Sequence, residues 1–174
     1  KASKLVMQKR DDVKFLIVGD GPCRKKLEEL ADELKVKDCI HFTGSQDDIW
    51  PYISLFDIGI NCSSNEGLSN AIMEYMAYSI PCIVSRAGGN EELIEHNVNG
   101  YTFDLDNDRE LAELILNLLE DKEKQAQFIS RSKEIVREKL SLERMIEEYD
   151  RYFSQLMQDT RCRKREQLRV MKSE

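Results

Sequence analysis

Apolar and polar positions alternate along this chain at two different periods. Lys14–Val18 (KFLIV) is a short apolar run closed by Gly19-Asp20-Gly21-Pro22. Leu27, Leu30, Ala31 and Leu34 then recur at three- and four-residue spacing, which predicts a helix. Cys39–Phe42 reads as a second strand, ended by Thr43-Gly44. Asp47 and Asp48 open a short helix reaching Leu55. Asp57–Cys62 is a third strand, followed by the polar turn Ser63-Ser64-Asn65, then Glu66-Gly67 and a helical run to Ala77. Pro81–Val84 is a fourth strand ending near Gly88-Gly89, residues 90–96 a short helix, and Tyr101–Phe103 a last strand. Beyond it only helical periods appear. Leu111, Leu114, Ile115 and Leu118 form one face, and Phe128, Ile129, Ile135 and Val136 a second. Leu142, Met145, Ile146, Tyr149, Phe153 and Leu156 form a third, with Ser141 as N-cap.

Short apolar strands alternating with helices imply an α/β fold. The expected architecture is a Rossmann-like parallel sheet covered by helices on both faces, with a helical C-terminal segment. Ligands bind such sheets outside the C-terminal ends of the strands. The segments Gly19–Pro22, Thr43–Ser45, Ser63–Gly67 and Ala87–Asn90 all follow strands, so glycines and polar residues gather on that rim. Each is also ordinary turn chemistry taken singly. Ala2, Leu5, Val6 and Met7 read as the end of a helix feeding the first strand. A doubly wound domain places a strand before its first helix, so a strand upstream of Lys1 is expected to be missing.

Residues 57–77 carry the chemistry. Strand, glycine turn and helix start together build an anion site, because the first helical amides lack internal acceptors and the helix dipole favours negative charge there. Gly67 allows close backbone approach. Glu66 lies in the loop and Glu74 in the helix, where side chains lean toward the N-terminus. Both could face one ligand, a phosphate on the amides and hydroxyls on the carboxylates, which suits a sugar nucleotide. The plainer reading is two solvated glutamates.

Composition narrows the field. At 174 residues, one domain with a helical appendage is expected, taken as residues 1–158 followed by a basic tail, 159–174. A hydrophobic share of 41% against 34% charged suits a globular chain, and no apolar run is long enough to span a bilayer. The net charge of −7 argues against a nucleic-acid partner. The tail holds Arg161, Arg163, Lys164, Arg165, Arg169 and Lys172 and carries +3, leaving −10 on residues 1–158. Such a tail could touch an acidic membrane surface or partner, although a solvated helix end is the preferred reading.

Cys39, Cys62 and Cys82 fall in apolar runs as small hydrophobes, and the five cysteines lack C-x-x-C spacing, which suggests a reducing compartment. His41 is expected to point outward from its strand. His96 stands beside Asn97 near a helix end, where a positive charge suits the dipole. Neither has a visible catalytic partner, and no clustered Cys/His set suggests zinc.

Rival motifs fail on specific residues. Gly19-Asp20-Gly21 begins a G-x-G-x-x-G, but Arg24 stands at the third glycine. There is no Walker A lysine and no G-x-S-x-G elbow.

The ordered elements FLIVGDGP (15–22), IHFTGSQDDI (40–49), LFDIGINCSSNEGLSNAIMEYMA (55–77), IPCIVSRAGGNEELI (80–94) and NGYTFDLDN (99–107) resemble the C-terminal, nucleotide-sugar-binding half of a retaining family 4 (group 1) glycosyltransferase of GT-B architecture. The resemblance covers residues 15–156. Its strong element is glutamate, seven residues, glutamate, with GG-x-x-E behind it. It implies that Glu66, the family's catalytic-site glutamate, contacts donor sugar hydroxyls as an orienting group rather than a nucleophile. Glu74 would hold the ribose hydroxyls, and the amides of Gly67, Leu68, Ser69 and Asn70 the diphosphate. Gly19 and the Gly44–Ser45 region would flank the base, and Gly88, Gly89 and Glu92 match the downstream motif. Simple turn closure is the alternative reading for Gly19 and Gly44, and pairing on a helix surface the alternative for Glu92.

The resemblance further implies a UDP-, GDP- or ADP-sugar donor, a saccharide or lipid-linked acceptor, no cofactor and no essential metal. It implies a cytoplasmic enzyme, with the inner face of a membrane as an alternative location. Two departures stand out. Ser79 occupies a position where the family usually has glycine. The family's arginine–lysine pair, which neutralises the leaving diphosphate, would precede Lys1, as would the acceptor-binding N-terminal domain. Without that charge, a large electrostatic contribution, this chain alone is expected to be inactive. The alternatives are a related GT-B enzyme, such as a sugar-nucleotide epimerase or a phosphorylase, and a non-catalytic nucleotide-sugar-binding module. No lysine context suits the pyridoxal phosphate that a phosphorylase needs.

Overall fold

The computed structural model describes the backbone of residues 1–170 and side chains through residue 158, so the basic tail and Cys162 lie outside the described side chains. The chain divides into two units, Lys1–Lys133 and Glu134–Glu174.

The first unit alternates as the periods predict. Helix α1 (Ala2–Met7) leads into strand β1 (Phe15–Val18), followed by α2 (Arg24–Leu34) and β2 (Ile40–Gly44). Cys39 falls in a single 3-10 turn just before β2 rather than in the strand. Helix α3 (Trp50–Ile53) starts where Asp48 Oδ1 accepts the Trp50 amide at 3.1 Å. Next come β3 (Gly59–Asn61), α4 (Asn70–Ala77), β4 (Cys82–Ser85), α5 (Asn90–Leu93), β5 (Gly100–Phe103), α6 (Asp108–Glu120) and α7 (Lys122–Lys139), which crosses into the second unit.

All strand pairs are parallel. β1 aligns Phe15 with Ile40 and Ile17 with Phe42, then slips one residue so that Val18 faces Gly44. β4 lies between β3 and β5, pairing Ile83 with Ile60 on one side and Tyr101 on the other. Among the described residues, the strands form two hydrogen-bonded groups, β1-β2 and β3-β4-β5.

The core explains the layers. Val6 from α1, Ile83 from β4, Phe103 from β5, and Leu111, Ile115 and Leu118 from α6 join one cluster with Phe128. β4 also packs against α4, and all four of its residues are buried, as a strand covered on both faces requires. Phe128 stands edge-on to Tyr101, with ring centroids 4.9 Å apart.

α6 opens with a capping arrangement that the apolar pattern did not disclose. Asn107 Oδ1 accepts the Glu110 amide at 3.2 Å, and Glu110 Oε2 accepts the Asp104 amide at 2.9 Å. Arg86 joins Asp104 to Glu110 and the Thr102 carbonyl, tying the end of β4 to the end of β5.

In the second unit, α8 (Leu142–Val170) begins where Ser141 Oγ accepts the Arg144 amide at 3.2 Å, the N-cap expected. Its apolar stripe is present but exposed, with Leu142, Met145, Ile146, Tyr149, Phe153 and Leu156 all open to solvent.

Two side chains differ from expectation. His96 lies beyond the end of α5, which stops at Leu93. Its Nδ1 stands 3.0 Å from the Thr102 amide and 3.1 Å from both the Thr102 carbonyl and hydroxyl, which makes His96 a brace for β5. Cys62 lies one residue past β3 and is exposed, whereas Cys39 and Cys82 are buried as expected.

Candidate functional site

The polar rim forms at strand ends for local reasons. At the end of β1, the Gly19 amide donates to the Gly44 carbonyl at 2.9 Å, joining the two strand exits. Both glycines are left-handed, with φ of +123° and +74°. Asp20 Oδ1 accepts the Gly21 amide at 2.7 Å and its other oxygen takes Arg24 at 2.9 Å. The Gly21 amide first, and the Arg24 guanidinium second, hold the Asp20 carboxyl below its ordinary range. Arg24 also binds Glu28 at 2.9 Å, so its charge is already matched on α2. Ser45 follows Gly44 and is exposed.

The Glu66 loop rests on buried polar side chains at the ends of β3 and β4. Asn61 Nδ2 donates to Ser69 Oγ at 3.1 Å, and Asn61 Oδ1 accepts the Ser63 amide at 3.0 Å. Ser85 Oγ donates to the Ser63 carbonyl at 2.6 Å. Asn90, fully buried, donates from Nδ2 to the Ser85 carbonyl at 3.1 Å and to Ser85 Oγ at 3.2 Å. Its Oδ1 has no partner among the described residues. Sequence reasoning missed this support, although a signal exists. Both strands end an apolar run on a small polar residue, and burying one demands hydrogen-bond partners.

The Gly88–Gly89 turn presses directly on that loop. The Gly89 amide donates to the Glu66 carbonyl at 3.0 Å. A Cβ on Gly88 would strike the Glu66 carbonyl, and one on Gly89 the Gly67 carbonyl. The two motifs expected at one site are therefore in backbone contact. Glu92, the last member of the second motif, is exposed on α5.

Helix α4 begins later than the sequence suggests. Ser69 is the N-cap, so Gly67 and Leu68 belong to the loop and Asn70 is the first helical residue. The Ser69 hydroxyl makes no capping bond, since it is engaged by Asn61. Among the described residues, none accepts a hydrogen bond from the amides of Gly67, Leu68, Ser69, Asn70, Ala71 or Ile72. A Cβ placed on Gly67 would meet nothing within 4 Å, so the space above the loop is open.

The two carboxylates are held differently. Glu66, half-buried, accepts the Ser63 hydroxyl on Oε1 at 2.6 Å, which fixes its direction. Glu74, also half-buried, has neither an ion pair nor a hydrogen bond on its carboxylate among the described residues. Burial first, and the Glu74 charge second, push the neighbouring Tyr78 hydroxyl above its ordinary pKa. His41 is exposed on β2, as expected. The large cavity of the first unit, about 1030 Å³, lies elsewhere, against β1 and β3, and neither Glu66, Gly67 nor Glu74 lines it.

The chain as a whole is similar to known proteins. Residues 1–135 match the family described as glycosyl transferases group 1. The chain is 30% identical to N-acetyl-alpha-D-glucosaminyl L-malate synthase of Bacillus anthracis, across 85% of this chain and 39% of that protein. It is 37% identical to the lipopolysaccharide core biosynthesis glycosyltransferase LpsD of Rhizobium meliloti, across 60% of this chain and 31% of that protein. The chain thus spans well under half the length of these curated relatives. Anabaena Alr3699/HepE, solved in complex with UDP, superposes with a TM-score of 0.81 at 26% identity, covering 88% of this chain and 44% of that one. The family match covers well over half of the chain, the solved neighbour shares its fold, and the chain belongs to the glycosyl transferases group 1 family.

Proposed function

We propose that the chain is the donor-binding half of a glycosyltransferase that moves a sugar from a nucleoside diphosphate to a saccharide or lipid-linked acceptor, retaining the anomeric configuration. The single observation that carries this reading is the open tip of α4. Six neighbouring amides lack acceptors there, with the loop carboxylate of Glu66 ahead of them and the unpaired carboxylate of Glu74 one turn behind. Amides and the helix dipole suit a diphosphate. Carboxylates suit the hydroxyls of the two sugars on either side of it, donor sugar at Glu66 and ribose at Glu74. The Anabaena neighbour was solved in complex with UDP, which supports a nucleotide ligand for this fold.

In this reading Gly67, Leu68, Ser69 and Asn70 hold the diphosphate, joined by Ala71 and Ile72, while Gly19, Gly44 and Ser45 flank the base. Glu66 orients the sugar. The basic residues that stabilise the departing diphosphate, and the acceptor site, come from a preceding N-terminal domain. This chain by itself is therefore inactive. Neither cofactor nor metal is required, because amides and cations neutralise the phosphates. The enzyme works in the cytoplasm, with residues 159–174 available to an acidic membrane surface.

The test is a product assay on the full-length protein with UDP-, GDP- and ADP-sugars. Transfer to an added saccharide or lipid-linked acceptor, with the α-configuration of the donor preserved by NMR, supports the proposal. Interconversion of the free sugar nucleotide without an acceptor identifies an epimerase instead. Binding without turnover, unaffected by Glu66→Ala, identifies a non-catalytic module.

A further inference from the structure

Ser69 and Ser141 both stand at helix N-caps, and they behave differently. Ser141 Oγ accepts the Arg144 amide at 3.2 Å and closes the first turn of α8. Ser69 has the extended backbone of a capping residue, with φ of −76° and ψ of 114°, yet its side chain makes no bond to α4. A serine there ordinarily accepts the amide two or three residues on, which here is Ala71 or Ile72. The difference is Asn61, the last residue of β3. Its Nδ2 donates to Ser69 Oγ at 3.1 Å, and both side chains are buried. The polarity of this bond is fixed from the other side. The Ser63 amide can only donate, so Asn61 Oδ1 must face it, at 3.0 Å, and the amino group must face Ser69. Asparagine is a demanding end for a buried strand, since each of its polar atoms needs a partner. An aliphatic residue would carry no such demand. What asparagine adds is a grip on the Ser69 hydroxyl that draws it off the helix tip.

We infer that Asn61 is a positioning residue that keeps the tip of α4 uncapped, so that the Ala71 and Ile72 amides stay open to a diphosphate. This role rests on the donor-site reading above and names the residue that prepares that site. An N-cap side chain and a bound phosphate compete for the same donors, because the first amides of a helix have no acceptors within it. A serine satisfying those amides would have to be displaced whenever the anion enters, and that displacement would weaken binding. Asn61 removes the competitor in advance. The free protein forgoes the stabilisation that a cap brings. Asn61 is well placed to hold a hydroxyl still, since its backbone pairs with Val84 of the fully buried strand β4. It touches neither phosphate nor sugar and acts through Ser69. Its other bond goes to the amide of Ser63, whose hydroxyl holds Glu66, so one side chain supports both the open amides and the loop carboxylate.

Two readouts on the full-length protein test this role, the first without ligand. By NMR, the Ala71 and Ile72 amides are expected to exchange with water roughly fivefold more slowly in Asn61→Ala than in the unaltered protein, the strength of one cap bond, as Ser69 turns back to the helix. Fast exchange should return in Asn61→Ala/Ser69→Ala. Asn61→Leu, which fills the space that alanine leaves, is expected to slow exchange as Asn61→Ala does. Asn61→Asp keeps one oxygen for the Ser63 amide and another for the Ser69 hydroxyl, and should leave both rates as they are. The second readout is titration with UDP, GDP and ADP and with the matching nucleosides. Asn61→Ala should weaken the diphosphate that binds by roughly fivefold with its nucleoside little changed, and adding Ser69→Ala should recover most of that loss. Unchanged exchange in both Asn61→Ala and Asn61→Leu would mean that Asn61 does not hold the hydroxyl off the helix, and overturns the inference. Slowed exchange with undiminished diphosphate binding overturns it too, as does a double variant that binds more weakly than Asn61→Ala, the result expected of a merely structural asparagine. The expected exchange pattern with no diphosphate bound by the unaltered protein would overturn the donor-site reading instead, and leave the hold of Asn61 on Ser69 supported.

Discussion

Gly89 donates its amide to the carbonyl of Glu66 at 3.0 Å, and a Cβ on Gly89 would strike the next carbonyl, that of Gly67. The turn after β4 thereby fixes the loop after β3, and with it the approach to the tip of α4. Glu66 is held by this bond at its carbonyl and by the Ser63 hydroxyl at its carboxylate.

Gly89→Ala should consequently disturb the loop, because the new methyl meets the Gly67 carbonyl. Overpacking of this kind costs about 1–3 kcal/mol. A drop in thermal midpoint matching that cost is expected. Gly67→Ala is the contrast, since its methyl meets nothing within 4 Å. It should leave stability within about 0.5 kcal/mol while weakening nucleotide binding by crowding the open space. Calorimetric unfolding of the two variants checks the difference. Equal destabilisation would mean that the two loops are not in register.

Ser79 is the αL residue that ends α4. Ile80 donates to the Tyr75 carbonyl at 2.9 Å and Ser79 to the Met76 carbonyl at 3.3 Å, the paired bonds of a Schellman motif. Its φ of +66° strains a residue with a Cβ. Ser79→Gly should stabilise the chain by about 0.5–1 kcal/mol, the relief being partly offset by glycine's freedom in the unfolded state. Chemical denaturation measures it, and a destabilised variant would count against the assigned turn.

Burial pushes the Tyr75 hydroxyl from 10.0 up to about 12. Raising the folded value favours the protonated, neutral form in the native state. The associated stability is complete below pH 10 and is lost as pH rises toward 12. Tyr75→Phe should flatten the loss of stability across that window by up to about 2 kcal/mol. A residual slope is expected from Cys82, whose thiol burial raises from 9.0 to about 12. Denaturation curves at stepped alkaline pH test both, and an unchanged slope in the variant would show that Tyr75 is solvated.

Thiol chemistry should follow the same burial. At pH 8, Cys23 is expected to alkylate readily in the native chain, while Cys39 and Cys82 react only on unfolding. Peptide mapping after a timed pulse separates them. Native-state labelling of Cys82 would contradict the burial of β4.

Much of this was legible in the sequence, for physical reasons that differ by element. KFLIV and PCIV stand out as strands because sheets covered on both faces need unbroken apolar runs. The helix periods of α2 and α6 are equally plain. Boundaries were less so. The α4 start lies at Ser69 rather than just past Gly67, because Asn61 captures the serine hydroxyl across the loop, a contact between residues eight apart that no local pattern reveals. His96 was read from its neighbours in sequence, but its partner is Thr102 on β5. The glutamate pair and the double glycine were visible as a motif. What the sequence withheld was their mechanical link, a backbone bond from Gly89 to Glu66 and a bond from the Ser85 hydroxyl to the carbonyl of Ser63, 22 residues away.

The donor-site reading turns most directly on Glu74, the half-buried carboxylate left without a partner. Isothermal titration of the full-length protein with UDP, GDP and ADP, before and after Glu74→Ala, tests it. The expected result is binding of one of these nucleotides that weakens about tenfold or more in the variant, a loss of roughly 1.4 kcal/mol or greater. Equal affinity in the two proteins would contradict the ribose assignment, and no binding of any of the three to the unaltered protein would contradict the nucleotide site itself.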